Sequence, residues 1–196
     1  ISYRNQLAFR RFKQVGDLRF SRDQIAEFAL VDDVALGATY TCALTQAGRV
    51  WCWGDNLSGF LGDGSQIDRY FPVMAMTPPG IRSISASTES DVCAADTVGA
   101  TYCWGPLYGS GIATTPVLKQ GFESGVSLIE GGRQHTCALM SDSRVKCFGH
   151  GSFGQLGNGA AAPSVLPVPV SSLEDLSEIG VGEATSCALR RDGRVY

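Results

Sequence analysis

Four times along the chain a cysteine sits inside the same local pattern. In the first three copies a second cysteine follows ten residues later: Cys42 with Cys52, Cys93 with Cys103, Cys137 with Cys147. The surroundings are "GATYTCALTQAGRVWCWG", "STESDVCAADTVGATYCWG", "GGRQHTCALMSDSRVKCFG" and "GEATSCALRRDGRVY". The leading cysteines, the last being Cys187, are 51, 44 and 50 residues apart. A period near fifty, with several short β-prone runs in each unit, predicts an all-β fold: a partial β-propeller of four-stranded antiparallel blades. A solenoid of parallel coils would repeat at shorter intervals.

Each unit reads as a hairpin. "TYTCAL" and "RVWCWG" are rich in β-branched and aromatic residues and flank a short polar turn. A three-residue loop over Gln46, Ala47 and Gly48, with Gly48 left-handed in a G1 bulge, pairs Thr45 with Arg49 and Leu44 with Val50. Cys42 then faces Cys52 at a non-hydrogen-bonded site, where Cα atoms stand roughly 4.5 Å apart. Gly99 and Gly193 take the bulge position in units two and four, and Ser143, a less comfortable left-handed residue, takes it in unit three. The spacing fits cross-strand disulfides; buried reduced thiols packing as small hydrophobes are the competing reading. Zinc is disfavoured, because no C-x2-4-C knuckle occurs, and a redox pair would need C-x-x-C. Cys187 is left unpaired, and a cysteine at the next position of a longer chain is expected to be its partner.

Glycine-rich loops follow, "WGDNLSGFLGDG" and "FGHGSFGQLGNG", in which Gly54, Gly59, Gly62 and Gly64 match Gly149, Gly154, Gly157 and Gly159. They predict tight turns and close backbone approach; a phosphate cradle would end in Gly-Lys-Ser/Thr and open a helix. The Pro-bearing runs "YFPVMAMTPPG", "TTPVLKQG" and "SVLPVPVSSLEDL" read as edge strands and connectors. "DVAL", "SLIE" and "EIGV" are short strands leading into the hairpins. Trp51, Trp53, Trp104 and Phe148, on alternating positions, are expected in the core between blades rather than as a ligand stack.

At this point the residues resemble a known family. "TCALTQAGRVWCWGDNLSGFLGDG" and "HTCALMSDSRVKCFGHGSFGQLGNG" are similar to repeats of the regulator of chromosome condensation family, whose outline is H-T-C-A-L, a D-G turn, V-x-C-W-G-x-N and G-Q-L-G-x-G. The resemblance runs from about Ile25 to Tyr196, with units at about 25–79, 80–124, 125–176 and 177–196. Residues 1–24 are expected to be an incomplete preceding blade or a linker. Unit two departs, since "WGPLYGSGIATTP" shortens the glycine-rich loop and lacks the G-Q-L-G run. The resemblance implies a seven-bladed parent of which this chain holds about three to four blades. The chain opens at Ile1 and its first methionine is Met74, so the native protein is expected to be longer.

Composition narrows the function. A net charge of −3 gives no broad basic field for nucleic acid, and six basic residues among the first thirty read as a solvated segment. No apolar run reaches the roughly 18 residues of a membrane helix, so no membrane insertion is expected. Only two histidines exist: His135 in "QHTCAL" is expected to be a packed hydrogen-bonding residue, His150 an exposed loop residue. With no nucleophile motif or clustered carboxylate pair, neither an enzyme nor a cofactor or metal site is expected.

The expected role is a non-enzymatic protein-interaction scaffold, a fragment of a secreted or cell-surface propeller, because paired cysteines suit an oxidising compartment. The partner would be another protein. The alternative implied by the resemblance is guanine-nucleotide exchange on a small GTPase with chromatin docking, in the nucleus or cytoplasm with reduced cysteines. Candidate binding loops are Asp55, Asn56 and Leu57; Asp68, Arg69 and Tyr70; Leu107 and Tyr108; and Ser152 and Phe153. Asn56-Leu57-Ser58 is also an N-glycosylation sequon.

Overall fold

A computed structural model describes residues 30–196. The preceding segment, with its basic residues and the expected partial blade or linker, lies outside the described residues. The first sheet runs β1 (Val31–Leu36), β2 (Tyr40–Thr45), β3 (Val50–Gly54) and β4 (Arg69–Met74), each hydrogen-bonded antiparallel to the next. The second runs β5 (Ile81–Ala86), β6 (Val92–Asp96), β7 (Thr101–Leu107) and β8 (Gly111–Leu118). The third runs β9 (Val126–Gly131), β10 (His135–Met140), β11 (Val145–Gly149) and β12 (Ser164–Pro169). A fourth sheet pairs β13 (Leu176–Val181) with β14 (Ser186–Arg190), and Val195 bridges back to Leu189. So three sheets have four strands and the fourth has two. The first strands β1, β5, β9 and β13 contact one another in succession, as blades do around a propeller axis.

The hairpin register follows the cysteine spacing. Cys42 stands opposite Cys52, Cys93 opposite Cys103 and Cys137 opposite Cys147, each pair disulfide-bonded with Cα atoms 4.1 Å apart. Thr45 N donates to Arg49 O at 2.9 Å, so Thr45–Arg49 is a hydrogen-bonded pair and the cysteines, three steps out, are not. The bulge residues Gly48, Gly99, Ser143 and Gly193 all have positive φ, at 72°, 78°, 62° and 86°. Cys187 is free and exposed.

Alternation along the strands sends the cysteines one way and the flanking aromatics the other. Cys42 and Cys52 pack with Leu44, Val50 and Leu61 against Ile81, Ile84, Val92 and Trp104 of the second blade. Cys93 and Cys103 pack against Val126, Ile129, Ala138 and Phe148 of the third, and Cys137 and Cys147 against Leu176, Ile179 and Ala188 of the fourth. Each core therefore lies between blades, and each disulfide faces the following blade. Trp104 and Phe148, one step past the second cysteine, face the preceding blade. Trp51 is buried and Trp53 half-buried on the face of the first sheet opposite Cys52.

The outer strands β4, β8 and β12 carry the prolines Pro72, Pro116, Pro167 and Pro169, where a missing N–H costs no ladder bond. The second blade closes without the glycine-rich loop. There β7 runs on to Leu107 and turns directly into β8, with Ser110 N donating to Leu107 O at 3.0 Å and Leu107 opposite Gly111.

Candidate functional site

One end of the blades gathers the loops between first and second strands with those between third and fourth. Asp55 N donates to Thr39 O at 3.1 Å, and His150 N to Gln134 O at 2.8 Å, tying each long loop to the short loop beside it. The long loop of the first blade, residues 55–68, is organised by Asn56. Its Oδ1 accepts from Leu61 N at 2.9 Å, and its Nδ2 lies 3.1–3.2 Å from Ser65 O, Ser65 Oγ, Asp63 Oδ1 and Ile67 O. Asn56 N donates to Asp68 Oδ1 at 2.8 Å, and Gln66 Nε2 to Leu57 O at 2.6 Å, so the two halves of the loop close on each other.

Arg69 locks the base of this loop through Asp63, with Nη2–Oδ2 at 2.9 Å. Burial opposes ionisation of Asp63, but hydrogen bonds from Ser65 and Arg69 together with the Arg69 charge outweigh it and hold the carboxyl below its usual range. The loop presents Leu57 at 69% exposure, Ile67 at 62% and Tyr70, one residue into β4, at 88%.

Of the predicted binding residues, the structure thus brings together Asp55, Leu57, Asp68, Arg69 and Tyr70. Asn56 is corrected: it is fully buried, with its amide engaged inside the loop, so it offers neither a contact nor a glycan acceptor. Leu107 is half-buried against the core containing Phe122 and Phe148. Tyr108 is half-buried at the tip of the second blade's hairpin. Ser152 and Phe153 sit on the third blade's long loop, Phe153 exposed and 5.6 Å from the His150 ring. His150 itself is half-buried rather than exposed, because its Nδ1 meets Gln155 Nε2 at 2.9 Å.

Two features escaped the sequence reading. The residue four positions before the first cysteine is Ala38, Glu89, Arg133 and Glu183 in successive blades. Arg133 Nε reaches Glu89 Oε2 and its Nη1 reaches Glu183 Oε1, both at 2.9 Å, so three blades are laced along this rim. The constant offset from the cysteine was the available signal. The second is Asp91, buried between the second and third blades among Ser87 Oγ, Ser90 Oγ and Thr136 Oγ1 at 3.1–3.2 Å. Burial raises its pKa, and the field of Lys119 and the hydroxyl hydrogen bonds offset only part of that.

Asp91, Cys93 and Cys103 lie close enough to suggest a metal site, but both sulfurs are spent in a disulfide. His135 Nε2 lies 2.9 Å from Ser186 Oγ, a spacing seen in nucleophile–base pairs. Ser186 Oγ, however, donates to Gln155 O at 2.9 Å, which leaves it accepting from His135 Nε2–H. The histidine is buried and its pKa lowered by that burial, with the charge of His150 adding to the effect. This arrangement ties the third blade to the fourth rather than activating a hydroxyl. Among the described residues no helix is long and apolar enough to cross a membrane.

Sequence models of the regulator of chromosome condensation (RCC1) repeat match residues 31–59 and 126–155, and a second model of the same repeat matches residues 47–95. The chain carries repeats of the RCC1 family. The ultraviolet-B receptor UVR8 of Arabidopsis thaliana is 31% identical over 178 residues, which is 85% of this chain and 40% of that protein. Human E3 ubiquitin-protein ligase HERC2 is 26% identical over 83% of this chain, but that stretch is 4% of its own length. In structure, the RCC1-repeat chain resembles Prp20p of Saccharomyces cerevisiae, with a TM-score of 0.73 and 25% identity over 89% of this chain and 44% of that one. It therefore spans less than half the length of these relatives, and its sheets are blades of an RCC1 propeller.

Proposed function

We propose that this RCC1-repeat chain is a non-enzymatic protein-interaction scaffold in a secreted or cell-surface protein. The observation that carries the reading is the set of three disulfides, each buried in a core between blades. Cross-links of this kind persist in oxidising compartments and are rare in the cytosol and nucleus. Binding falls to loops on the rigid end of the blades, the usual division between scaffold and recognition surface. The buried, hydroxyl-bound roles of His135 and Asp91 agree with a binding protein rather than a catalyst.

A second reading is exchange-factor activity on a small GTPase, favoured by the similarity to Prp20p, whose structure is described with its binding to Gsp1p and histones. The cysteine pairs argue against it, because that role is nuclear.

Counting thiols in protein isolated from its native source and denatured without reductant tests the first reading. The three pairs Cys42–Cys52, Cys93–Cys103 and Cys137–Cys147 are expected not to react, and Cys187 is expected to be protected by its own partner in the longer chain; reaction of the three pairs overturns the extracellular reading. Accelerated nucleotide release from a small GTPase by the purified protein would establish the second.

A further inference from the structure

The three disulfides share one hairpin position but differ in what lies beside them. Two residues before the leading cysteine stand Tyr40, Asp91 and His135. Tyr40 and His135 reach across to the following blade, Tyr40 to Ser87 O at 2.8 Å and His135 Nε2 to Ser186 Oγ at 2.9 Å. Asp91 also crosses, since its Oδ1 accepts from Thr136 Oγ1 as well as from Ser87 Oγ and Ser90 Oγ. Its second oxygen turns back on its own hairpin, with Oδ2 3.5 Å from Cys93 Sγ. One carboxyl oxygen and the sulfurs of Cys93 and Cys103 all lie within 4.8 Å of one another. Among the described residues neither of the other pairs has a carboxyl so placed, and Cys137 Sγ meets the Ser186 hydroxyl at 3.5 Å.

The hydrogen bonds place a proton on this carboxyl. A sulfur in a disulfide carries no hydrogen, so it cannot donate to Oδ2, and among the described residues the three hydroxyl donors all go to Oδ1. A neutral carboxyl satisfies both oxygens: Oδ1 accepts the hydroxyls and Oδ2–H points at Cys93 Sγ. Burial favours that neutral form, Lys119 just after β8 opposes it, and Tyr40 of β2 is the other titratable group coupled to it. Reduction reverses the contact, because Cys93 S–H then donates and a carboxylate is the acceptor it meets. Access differs as well. The first and second blades are latched by a long loop through Phe60 O and Gly64 N, and the third and fourth through Gln155 O. Cys93 and Cys103 face the boundary that lacks such a loop, where the second blade closes in a tight turn. Local opening has no loop latch to release there.

We infer that Cys93–Cys103 is a reducible disulfide served by Asp91, which passes its proton to Cys93 as an external dithiol cuts the bond. One thiolate of the reductant attacks Cys103 Sγ, the S–S electron pair leaves on Cys93, and Asp91 Oδ2–H protonates it. The reductant's second thiolate then attacks the mixed disulfide at the reductant's own sulfur and releases Cys103, which takes a proton from solvent. Two electrons pass from the dithiol to the protein. The dithiol gives up two protons, Cys103 takes one, Cys93 takes that of Asp91, and one proton is left in solution for each disulfide reduced. Asp91 ends as a carboxylate accepting from Cys93 S–H. The cross-link beneath the boundary of the second and third blades thereby answers to reductant and to pH together. This goes beyond the scaffold reading and holds whichever protein the scaffold binds.

The test equilibrates the full-length, oxidised protein with fixed ratios of reduced and oxidised dithiothreitol, from mildly acid to neutral pH. Thiols are trapped with N-ethylmaleimide in denaturant, and peptide mass spectrometry reads each pair separately. Cys93–Cys103 is expected to be reduced at ratios that leave Cys42–Cys52 and Cys137–Cys147 oxidised. At a fixed dithiothreitol ratio its reduced fraction over its oxidised fraction is expected to rise with pH, toward about tenfold per pH unit, because one proton is released. The other two pairs exchange two protons for two and are expected to stay flat. Asp91→Asn, whose amide has no such proton to give, is expected to flatten the profile of Cys93–Cys103 as well, with circular dichroism matching the wild type. A flat profile for this pair in the wild type overturns the proposal without recourse to any variant. A slope that survives Asp91→Asn overturns it too, as does reduction of either other pair before it or together with it.

Discussion

The indole N–H of Trp104 in the second blade donates to the carbonyl oxygen of Phe60 in the first, 2.8 Å away across the blade boundary. Trp104 is fully buried, so that carbonyl is what satisfies its donor. The same loop closes over the ring at Gly62, where φ is +65° and an added Cβ would stand 2.9 Å from Nε1. Tyr40 crosses the boundary as well, stacking on Phe60 at 4.3 Å and donating to Ser87 O at 2.8 Å. The glycine-rich loop of one blade is thereby the lid on the aromatic of the next.

Gly62→Ala attacks this lid in two ways, through an unfavourable φ and through collision with the indole. A loss of about 2–3 kcal/mol is expected, read as a lower denaturation midpoint by circular dichroism. Trp104→Phe keeps most of the apolar ring but leaves Phe60 O without its donor, for about 1–3 kcal/mol. An unchanged midpoint in both variants would show that the blade boundary does not depend on this loop.

The disulfides act on the unfolded chain as well as on the cores. Each closes a loop of ten residues in sequence separation, for which the chain-entropy model gives about 2–3 kcal/mol. Replacing Cys93 and Cys103 together by Ala is expected to lose at least that much, because both sulfurs also fill the core containing Phe122 and Ile129. Urea denaturation of the double variant against the oxidised protein measures the difference. A loss under about 1 kcal/mol would mean that the cross-link is dispensable to the blade.

The hairpins were legible because a ten-residue spacing and a three-residue turn leave one register, and Cys42 meets Cys52 in it. Which face each cysteine takes was not legible. Alternation separates two faces but does not say which neighbour covers which, and that depends on how blades stack. The second blade's outer edge was obscured because "GPLYGSGI" looks like a damaged long loop, whereas β7 simply extends and turns. Asn56 misled for a related reason. A polar residue in a glycine-rich loop looks solvated until the loop folds around its amide. The rim pair Glu89–Arg133 joins residues 44 apart in sequence; their common offset from the leading cysteines marks them as equivalent positions, but only the stacking of adjacent blades brings the two side chains together.

Asp91 makes stability depend on pH with an uncommon sign. Its pKa is raised in the folded protein, first by burial, so the folded state holds the proton more tightly than the unfolded one. As pH climbs past the ordinary value of 3.8, the unfolded chain releases this proton first, and stability falls until the folded-state pKa is passed. Lys119 and Tyr40 share its surroundings, and Lys119 tempers the rise. Asp63 and Glu89, whose pKa values are lowered, work in the opposite sense by losing stability on acidification. Denaturation midpoints of Asp91→Asn and wild type, followed upward from pH 4, isolate the Asp91 contribution. The variant is expected to gain on the wild type as pH rises; parallel profiles would show that Asp91 ionises as readily in the fold as outside it.

Ser143 occupies a position that the other hairpins give to glycine. Its N–H donates to Met140 O at 2.9 Å, as Gly48 donates to Thr45 O and Gly99 to Asp96 O, and its φ of 62° is left-handed. A Cβ in that region costs about 1–2 kcal/mol, partly offset for glycine by the greater entropy it loses on folding. The Ser143 hydroxyl accepts from Arg191 Nη2 at 3.3 Å, but that contact is exposed and worth little. Ser143→Gly is therefore expected to stabilise the protein by about 0.5–1 kcal/mol. The reverse exchange is not symmetrical. Gly99 is buried, and a Cβ there would run into the backbone of Val126 and Gly125 at the start of the third blade. Gly99→Ser is expected to destabilise by about 2 kcal/mol or more, since strain and collision act together. Denaturation of the two single variants measures both. A stabilising Gly99→Ser would mean that the turn, and not the blade packed beneath it, sets the demand for glycine.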